Sequence, residues 1–310
     1  MIVIGKYAAD KAEEWDRFVN RSRCPMFMFS RGFMDYHADR FEDDSLMFYR
    51  DDELIAVLPA TRHGDEIRSH GGLTYGGMIV GERMKQSSML ECFESMRSFY
   101  RDGGVRSILY KQIPHIYKTQ SSDEDLYALF RCGASVVKVE PSTLVRLDAP
   151  LKMPKGRKAQ ISRARREGVT VADSDDFETF ISLENAVLER HNVRAVHSPA
   201  ELGLLKSRFP DNIRCRCAWK DGGMIAGTLL FVYGSVVHTQ YMFASERGRE
   251  IGALDLVISQ VISDFAATHA WLDFGISSED GGRFLNEGLI AQKEGFGGRT
   301  LAYVTCSLRT

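Results

Sequence analysis

The order of predicted elements is the feature that most constrains how this chain of 310 residues can fold. In both halves, amphipathic helical patterns lead into two strands joined by a tight turn, and strands and helices then alternate. The two turns, DDE at 51–53 and DGG at 221–223, are typical of β-hairpins. Because a chain of this length suits two domains of roughly 150 residues each, the repeated order predicts two copies of one α/β fold with a mixed sheet.

A change of composition marks the predicted junction of the two copies. Pro150 and Pro154 interrupt the chain, and Lys and Arg residues crowd into 152–166. We therefore expect an N-terminal domain over 1–150 and a C-terminal domain over 151–310.

Overall charge and cysteine usage exclude several classes of protein. Hydrophobic residues make up 44% of the chain and charged residues 26%, which excludes a disordered or coiled-coil protein. With 40 Lys and Arg against 42 Asp and Glu, any anionic partner has to meet a local basic patch. The six cysteines form no CxxC pair, and the sequence contains neither a signal peptide nor a long apolar run. We expect a cytoplasmic protein with reduced thiols and no membrane span.

Blocks of the sequence resemble one family of transferases. They are SHGGLTYGG at 69–77, RK at 157–158 with Ile161, Arg165 and EGV at 167–169, and finally LDFG at 272–275, NEGL at 286–289 and KEGFGG at 293–298. The final group is similar to the "DFGG … GL…K..FGG" block of the Fem-type peptidoglycan-branching transferases and their FemAB-like relatives. The resemblance implies two GNAT-like acyltransferase folds in tandem, with the acyl-donor site in the second.

The resemblance also implies that the diphosphate of acyl-CoA is bound at a turn before a helix. The GNAT signature at this turn, Q/R-x-x-G-x-G/A, directs backbone N–H groups and a helix N-terminus at the pyrophosphate. The matching turn contains Arg247, Gly248, Arg249 and Gly252, but Leu254 stands where glycine or alanine is expected. The turn is predicted either to bind the donor or only to begin a helix.

The basic segment 152–166 has two interpretations as well. It forms a solvated helix face, or its charged groups hold a diphosphate in a cleft between the domains. In the resembling proteins, basic residues near this junction hold the diphosphate of a UDP-linked acceptor. The resemblance therefore implies that Lys155, Arg157 and Lys158 bind substrate.

Candidates for the chemical step lie further along the chain. His238 and Tyr241 interrupt an apolar strand, and His238 is either the base that takes a proton from the attacking amine or a core residue. Asp273 is an alternative base or a group that orients its neighbours. Lys293 matches the lysine of the family block, and it either stabilises an oxyanion or is an ordinary lysine near a helix end.

In the first half, the glycine-rich segment 69–77 contains two further candidates, His70 and Tyr75. Glycines let a ligand approach the backbone closely, so these side chains either contact a substrate or belong to a hydrogen-bonded turn. No group of His, Cys, Asp or Glu has the spacing of metal ligands, and we expect no metal site.

These observations together predict an N-acyltransferase. A primary amine attacks an acyl-CoA, such as acetyl-CoA, in a ternary complex, and the absence of a GxSxG nucleophile motif from the sequence agrees with direct attack. The predicted acceptor is a cell-envelope or polysaccharide precursor, such as an amino sugar or a nucleotide-linked amino sugar. The alternatives are a Fem-type transferase that uses aminoacyl-tRNA and a non-catalytic binding module, while binding of RNA through the basic segment is a weaker one.

Overall fold

The computed structural model of the protein describes residues 1–191 and 193–310. These residues form two compact units. Unit 1 comprises residues 1–140, 280–282 and 302–310, and unit 2 comprises residues 141–279 and 283–301. The division therefore falls before the predicted boundary at residue 150, and the end of the chain returns to unit 1. The bounds of the two predicted domains, 1–150 and 151–310, stay predictions.

Up to β9, the elements follow the predicted alternation. They are β1 (Val3–Lys6), α1 (Ala12–Asn20), α2 (Arg31–Met34), β2 (Glu42–Asp43), β3 (Leu46–Arg50), β4 (Glu53–Leu58), β5 (Thr61–His63), β6 (Glu66–Arg68), β7 (Ile79–Val80), α3 (Gln86–Asp102), β8 (Ser107–Lys111), α4 (Glu124–Arg131) and β9 (Ser135–Arg146).

The strands of unit 1 form two groups. The strands β1, β3, β4 and β7 make an antiparallel sheet in that order. The predicted hairpin of β3 and β4 is confirmed, and its turn places Asp51 and Asp52 at φ 51° and 63°, as a tight hairpin turn requires. In the second group, β17, β8, β6, β5 and β2 are neighbours, and only β6 and β8 run parallel.

The remaining elements belong mostly to unit 2. They are α5 (Lys155–Arg166), β10 (Thr170–Asp173), α6 (Phe177–Leu188), α7 (Pro199–Arg208), β11 (Ile213–Lys220), β12 (Gly223–Val232), β13 (Val236–Ala244), α8 (Glu246–Ile251), α9 (Ala253–Phe265), β14 (Trp271–Ile276), β15 (Ser278–Glu279), β16 (Phe284–Leu285), α10 (Glu287–Glu294) and β17 (Arg299–Arg309). The helical pattern of residues 175–192 predicts a helix that ends at Asn192, and this residue lies outside the described residues.

The strands of unit 2 follow the order β10, β11, β12, β13, β14 and β9. The pair β13 and β14 is parallel, and the other neighbours are antiparallel. Helix α9 covers one face of this sheet, where its Val257 and Val261 belong to one buried cluster with Leu230, Val237 and Leu272. Each such fully buried side chain contributes about 1.5–3 kcal/mol to the free energy of unfolding. Helix α6 packs against β13 and β12 through Phe180 and its neighbours.

The local sequence pattern predicts a strand over 135–148 that Pro141 breaks, a helix over 282–294 and a helix around 30–40, and the structure differs from each of these predictions. Pro141 lies within β9 and does not break it. Its carbonyl accepts the N–H of Ser277, and proline has no N–H group that the strand would leave unpaired. The helix predicted from Gly282 begins only at Glu287, since Asn286 caps it and the preceding residues form the short hairpin of β15 and β16. The helix predicted around 30–40 is limited to α2 and one 3-10 turn.

None of the helices within residues 1–191 and 193–310 combines the length and the apolar character needed to cross a bilayer.

Candidate active site

The candidate site lies in unit 2, where the two parallel strands stop pairing. β13 and β14 pair over three positions, and the last pair is His238 with Asp273. β13 continues to Ala244, but the described residues form no further pair between these strands. The last paired side chains therefore border a gap between neighbouring strands. Since Val237 and Leu272 point into the core beneath α9, the alternation of a strand places His238 and Asp273 on the opposite face.

His238 and Asp273 form a buried polar pair at this point. The imidazole Nδ1 of His238 lies 3.3 Å from the Oδ2 atom of Asp273, and the two residues are 6% and 0% exposed. The other carboxylate oxygen of Asp273 accepts hydrogen bonds from the hydroxyl of Ser142, at 2.5 Å, and from the backbone N–H of Gly275, at 3.0 Å. These donors hold Asp273 in one orientation, so the carboxylate fixes the ring of His238.

Lys293 reaches the same strand end from α10. Its Nζ atom donates to the backbone oxygens of Gly275, at 3.0 Å, and Ile276, at 2.6 Å. Burial lowers the pKa of Lys293 to about 8, while the negative charge of Asp273 acts in the opposite direction. The three residues predicted for the chemical step, His238, Asp273 and Lys293, are thus brought together in one part of unit 2.

Gly275 lets the backbone approach the ring of His238. Its φ of +71° lies in the left-handed region, and a Cβ atom there would lie 3.4 Å from Cε1 of His238. Glycine in the LDFG block is therefore required by its backbone conformation rather than by space.

A β-bulge changes the direction of β13 just beyond His238. Tyr241 pairs with Leu229, whereas Thr239 pairs with Leu230, so Gln240 is the extra residue. The hydroxyl of Tyr241 accepts the N–H groups of Val196 and His197 and lies 2.7 Å from Nδ1 of His197. Tyr241 thus anchors the segment before α7 to β13, and its predicted contact with substrate stays a prediction.

The turn predicted to hold a diphosphate contains a short helix. Ser245 caps α8 through its hydroxyl, which accepts the N–H of Gly248, and its carbonyl accepts the N–H of Arg249. Only glycine fits at position 248, because a Cβ atom there would lie 2.3 Å from the carbonyl oxygen of Ile225. The N–H groups of Gly248 and Arg249 are therefore used inside this turn.

Gly252 separates α8 from α9. Its φ of +75° is left-handed, and a Cβ there would lie 2.7 Å from the backbone oxygen of Gln160 on α5. The residues around Gly252 form a tight turn, and α5 packs closely against it. The side chain of Arg249 donates to the Ala244 carbonyl at 2.9 Å, and Arg247 pairs with Glu167 and Glu250, both at 3.1 Å.

The basic segment forms α5, which agrees with the helical interpretation of its pattern. Lys155 and Lys158 are exposed. Arg157 instead turns inward, where it donates to the carboxylate of Asp255 and to the Gln292 carbonyl. Its guanidinium also lies 4.3 Å from the ring centre of Phe296, a cation–π distance. Arg157 therefore ties α5 to α9 and α10, a structural role that its sequence pattern did not reveal.

The candidates of the first half lie within unit 1 and are buried there. His70 is stacked on His37 with ring centres 5.4 Å apart, and Lys111 donates to its backbone oxygen at 2.7 Å. Burial, with the nearby His37 and Lys111, lowers the pKa of His70 to about 2. Tyr75 packs against the rings of Tyr117 and Tyr303. These contacts fit the turn interpretation, and substrate binding by His70 and Tyr75 stays a prediction.

In the part of the chain that the structure describes, no group of three or more His, Cys, Asp or Glu side chains could hold a metal ion.

Sequence reasoning missed two polar residues on this unit. Ser142 carries no motif, and only its pairing with the strand of Asp273 makes it a partner of that carboxylate. Glu184 is a carboxylate on the buried face of α6, in line with Phe177, Phe180 and Ile181. An acidic residue in an apolar helical stripe was the signal that could have revealed it.

Comparison with known proteins identifies the family of part of the chain. Residues 155–281 match the family model described as acetyltransferase (GNAT) domain. This range contains the diphosphate turn, His238 and Asp273. Unit 2 therefore carries a GNAT acyltransferase domain, and the protein is an enzyme of the acyltransferase class. The chain has no match among curated protein sequences.

Solved structures extend the similarity of fold to nearly the whole chain. FemX is 12% identical, with 97% of this chain and 96% of FemX covered and a TM-score of 0.67. The C-terminal domain (DUF2156) of a putative lysylphosphatidylglycerol synthetase from Agrobacterium fabrum is 17% identical, with coverage of 96% and 92% and a TM-score of 0.65. A tandem GNAT protein from the clavulanic acid biosynthesis pathway is 10% identical, with coverage of 100% and 98% and a TM-score of 0.55. The predicted FemAB-like, tandem GNAT fold with α/β architecture is confirmed.

Proposed function

We propose that the protein forms an amide by direct attack of a primary amine on an activated acyl group, with acyl-CoA as the donor. The observation that carries this proposal is the His238 and Asp273 pair at the point where β13 and β14 part. A gap between parallel strands lets a thioester and an amine meet beside an oriented imidazole. Holding both substrates there supplies much of the acceleration.

In the proposed reaction, the amine nitrogen attacks the acyl carbonyl while His238 takes the proton that the nitrogen loses. The new C–N bond forms, the C–S bond breaks, and the proton passes from His238 to the leaving thiolate. Asp273 stabilises the imidazolium during this step, because its Oδ2 atom faces Nδ1. No covalent enzyme intermediate is needed.

Lys293 is the proposed stabiliser of the oxyanion. Two of the three N–H groups of its ammonium donate to the Gly275 and Ile276 carbonyls, which fixes the position of Nζ. The third N–H is the proposed donor to the carbonyl oxygen as it gains negative charge. A fixed donor of this kind typically contributes about 2.7–4 kcal/mol of transition-state stabilisation.

A second donor is a candidate because of the geometry of the diphosphate turn. The N–H groups of Gly248 and Arg249 are already bonded to Ser245. In addition, Leu254 stands where the signature has glycine or alanine. A donor that does not need the turn, such as the ester of an aminoacyl-tRNA, is therefore the second candidate. In that case, the same attack breaks a C–O bond, and the proton passes to the ribose oxygen.

The two donors are distinguished by binding and by turnover. If acyl-CoA is the donor, acetyl-CoA raises the unfolding temperature of the protein in a concentration-dependent way, and aminoacyl-tRNA does not. The purified protein then acetylates at least one member of a panel of amino sugars and UDP-linked amino sugars, as followed by release of free CoA. Stabilisation and turnover with aminoacyl-tRNA alone would overturn the acyl-CoA proposal in favour of the second donor.

The variant His238→Gln separates an acyltransferase from a binding module. Glutamine is polar and similar in size to histidine, but it has no nitrogen that titrates. We therefore expect donor binding to persist in this variant while turnover falls. If the wild-type protein binds a donor but transfers nothing to any amine of the panel, the proposal of catalysis is wrong and the non-catalytic alternative gains support.

A further inference from the structure

A buried carboxyl group on α6 has no role in the mechanism above. Glu184 is 4% exposed, and its Oε2 atom has no hydrogen-bond partner among the described residues. Burial is the cause that raises the pKa of Glu184 to about 8, with no charged neighbour contributing. An unpartnered buried carboxyl is costly to a fold, so it calls for an explanation other than packing.

The contacts of α6 place Glu184 along β13. Phe180, one turn before Glu184, packs edge-on against Phe243 of β13 with ring centres 5.1 Å apart. Beyond α6, the N–H groups of Val196 and His197 donate to the hydroxyl of Tyr241. Helix α6 therefore lies against β13 at Phe243, and Glu184 belongs to the part of the sequence between these two contacts.

The register of the sheet shows which side chains share this face. Phe243 pairs with Gly227, and a Cβ atom at Gly227 would touch Phe180, so Gly227 faces α6. Phe231 lies two pleats further along the same face of β12, and it pairs with His238. His238 and Glu184 therefore lie on the same side of the sheet, opposite to α9.

Several charged groups on the elements packed against α6 have partners of their own. Glu201 closes the capping box of α7 with Ser198, Lys206 donates to the Pro210 and Ile213 carbonyls, and Glu189 pairs with Arg194. Glu184, by contrast, has no hydrogen-bond partner on its Oε2 atom among the described residues.

We propose that Glu184 is the group that recognises the amine of the acceptor, and that the acceptor binds as a primary ammonium paired with this carboxylate. The inference rests on the proposed function, because it assigns the acceptor side of the same reaction. The proton is conserved in this pairing. An ammonium beside ionised Glu184 and a neutral amine beside protonated Glu184 contain the same atoms and the same total charge. A proton shift from the ammonium to Glu184 releases the neutral amine that can attack.

The test compares Glu184→Gln with Glu178→Gln, which makes the same change at an exposed site on the same helix. For the amine that the wild-type protein acylates, Glu184→Gln is expected to raise the KM at least tenfold and to leave the KM for the donor unchanged. Glu178→Gln is expected to behave as wild type. An unchanged acceptor KM in Glu184→Gln would overturn the inference and leave the acyltransferase proposal intact.

A second measurement does not depend on turnover or on the folding of a variant. In wild-type protein labelled with ¹³C at glutamate Cδ, glucosamine, lysine and ethanolamine are each added, with their N-acetylated forms as uncharged controls. At least one amine, and none of the controls, is expected to lower the pH at which the buried carboxyl titrates. If no amine shifts this titration, the inference is wrong. If an amine shifts it but no donor supports transfer, the recognition site stands and the proposed catalysis fails.

Discussion

The Nδ1 atom of His238 lies 3.3 Å from the Oδ2 atom of Asp273, and these two residues are also the last pair that joins β13 to β14. The polar pair therefore lies at the point in the sheet where β13 and β14 stop pairing. The remaining lone pairs of Asp273 are taken by Ser142 and Gly275, which makes the carboxylate a fixed reference for the imidazole. Each of the following predictions changes one part of this arrangement or of its supports.

Asp273→Asn is expected to lower kcat at least a hundredfold while the unfolding temperature changes little. The amide keeps the shape of the carboxylate but no longer stabilises the imidazolium, and it favours the wrong tautomer of His238. Steady-state kinetics beside thermal unfolding checks this. Ser142→Ala removes only one donor to Asp273 and should cost less than tenfold in kcat. Equal losses in both variants would argue against a special role for the charge.

Lys293→Met is expected to lower kcat by about a hundredfold to a thousandfold, because the fixed donor to the oxyanion is lost. The ammonium form is the active one, and burial sets its pKa at about 8. In wild-type protein kcat should therefore fall as the pH rises through about 8, and this descending limb should vanish in the methionine variant. A limb that persists in Lys293→Met would assign the titration to another group.

Gly252→Ala is expected to destabilise the protein by about 1–3 kcal/mol. An alanine at φ +75° is strained, and its methyl group would meet the Gln160 carbonyl at 2.7 Å. Gly156→Ala is the matched control, since Gly156 lies in α5 with open space around its Cα, and this change should stabilise by up to about 1 kcal/mol. Urea unfolding measures both. A neutral Gly252→Ala would mean that α5 does not press on the turn.

His70→Asn is expected to make the protein less sensitive to acid. Because the pKa of His70 is about 2 in the folded protein against 6.5 for an ordinary histidine, the unfolded chain binds the extra proton between these values. Stability is therefore complete above pH 6.5 and falls as the pH drops below it. Asparagine tolerates the φ of +50° at this position and does not titrate.

The measurement for His70 is urea unfolding at pH 7 and at pH 4.5. Between these values, wild type should lose about 2–3 kcal/mol more than His70→Asn, as a pKa difference of this size implies. The same change at the exposed His115 is the control and should leave the acid sensitivity of wild type in place. If both variants lose as much as wild type, His70 is not the acid-sensitive group.

Much of the fold could be read from local pattern. The hairpins of β3–β4 and β11–β12 follow from their turns, and the capping box of Ser198 and Glu201 marks the start of α7. Such signals act between residues close in the chain, so the sequence contains them directly. The short strands β5, β6 and β7 went unpredicted, because strands of two or three residues leave almost no periodicity.

The candidate site was predictable only in part. His238, Asp273 and Lys293 were found through a polar interruption of a strand and a family block, and the structure brings them together. Arg157 was predicted either to bind a diphosphate or to lie on a solvated helix face, and in the structure it contacts Asp255, Gln292 and Phe296. The sequence around a residue does not reveal contact partners that lie about a hundred residues away along the chain.

The sequence by itself therefore determined the type and order of the elements, the acyltransferase class that its blocks resemble, and the residue types able to do the chemistry. Only the tertiary structure decided that Ser142 fixes Asp273, that α5 packs against Gly252, and that Glu184 is buried with an unpartnered oxygen. The reason is physical. Turns, caps and periodicity depend on neighbours along the chain, whereas orientation, burial and shifted pKa values depend on groups that meet only when the sheet is assembled.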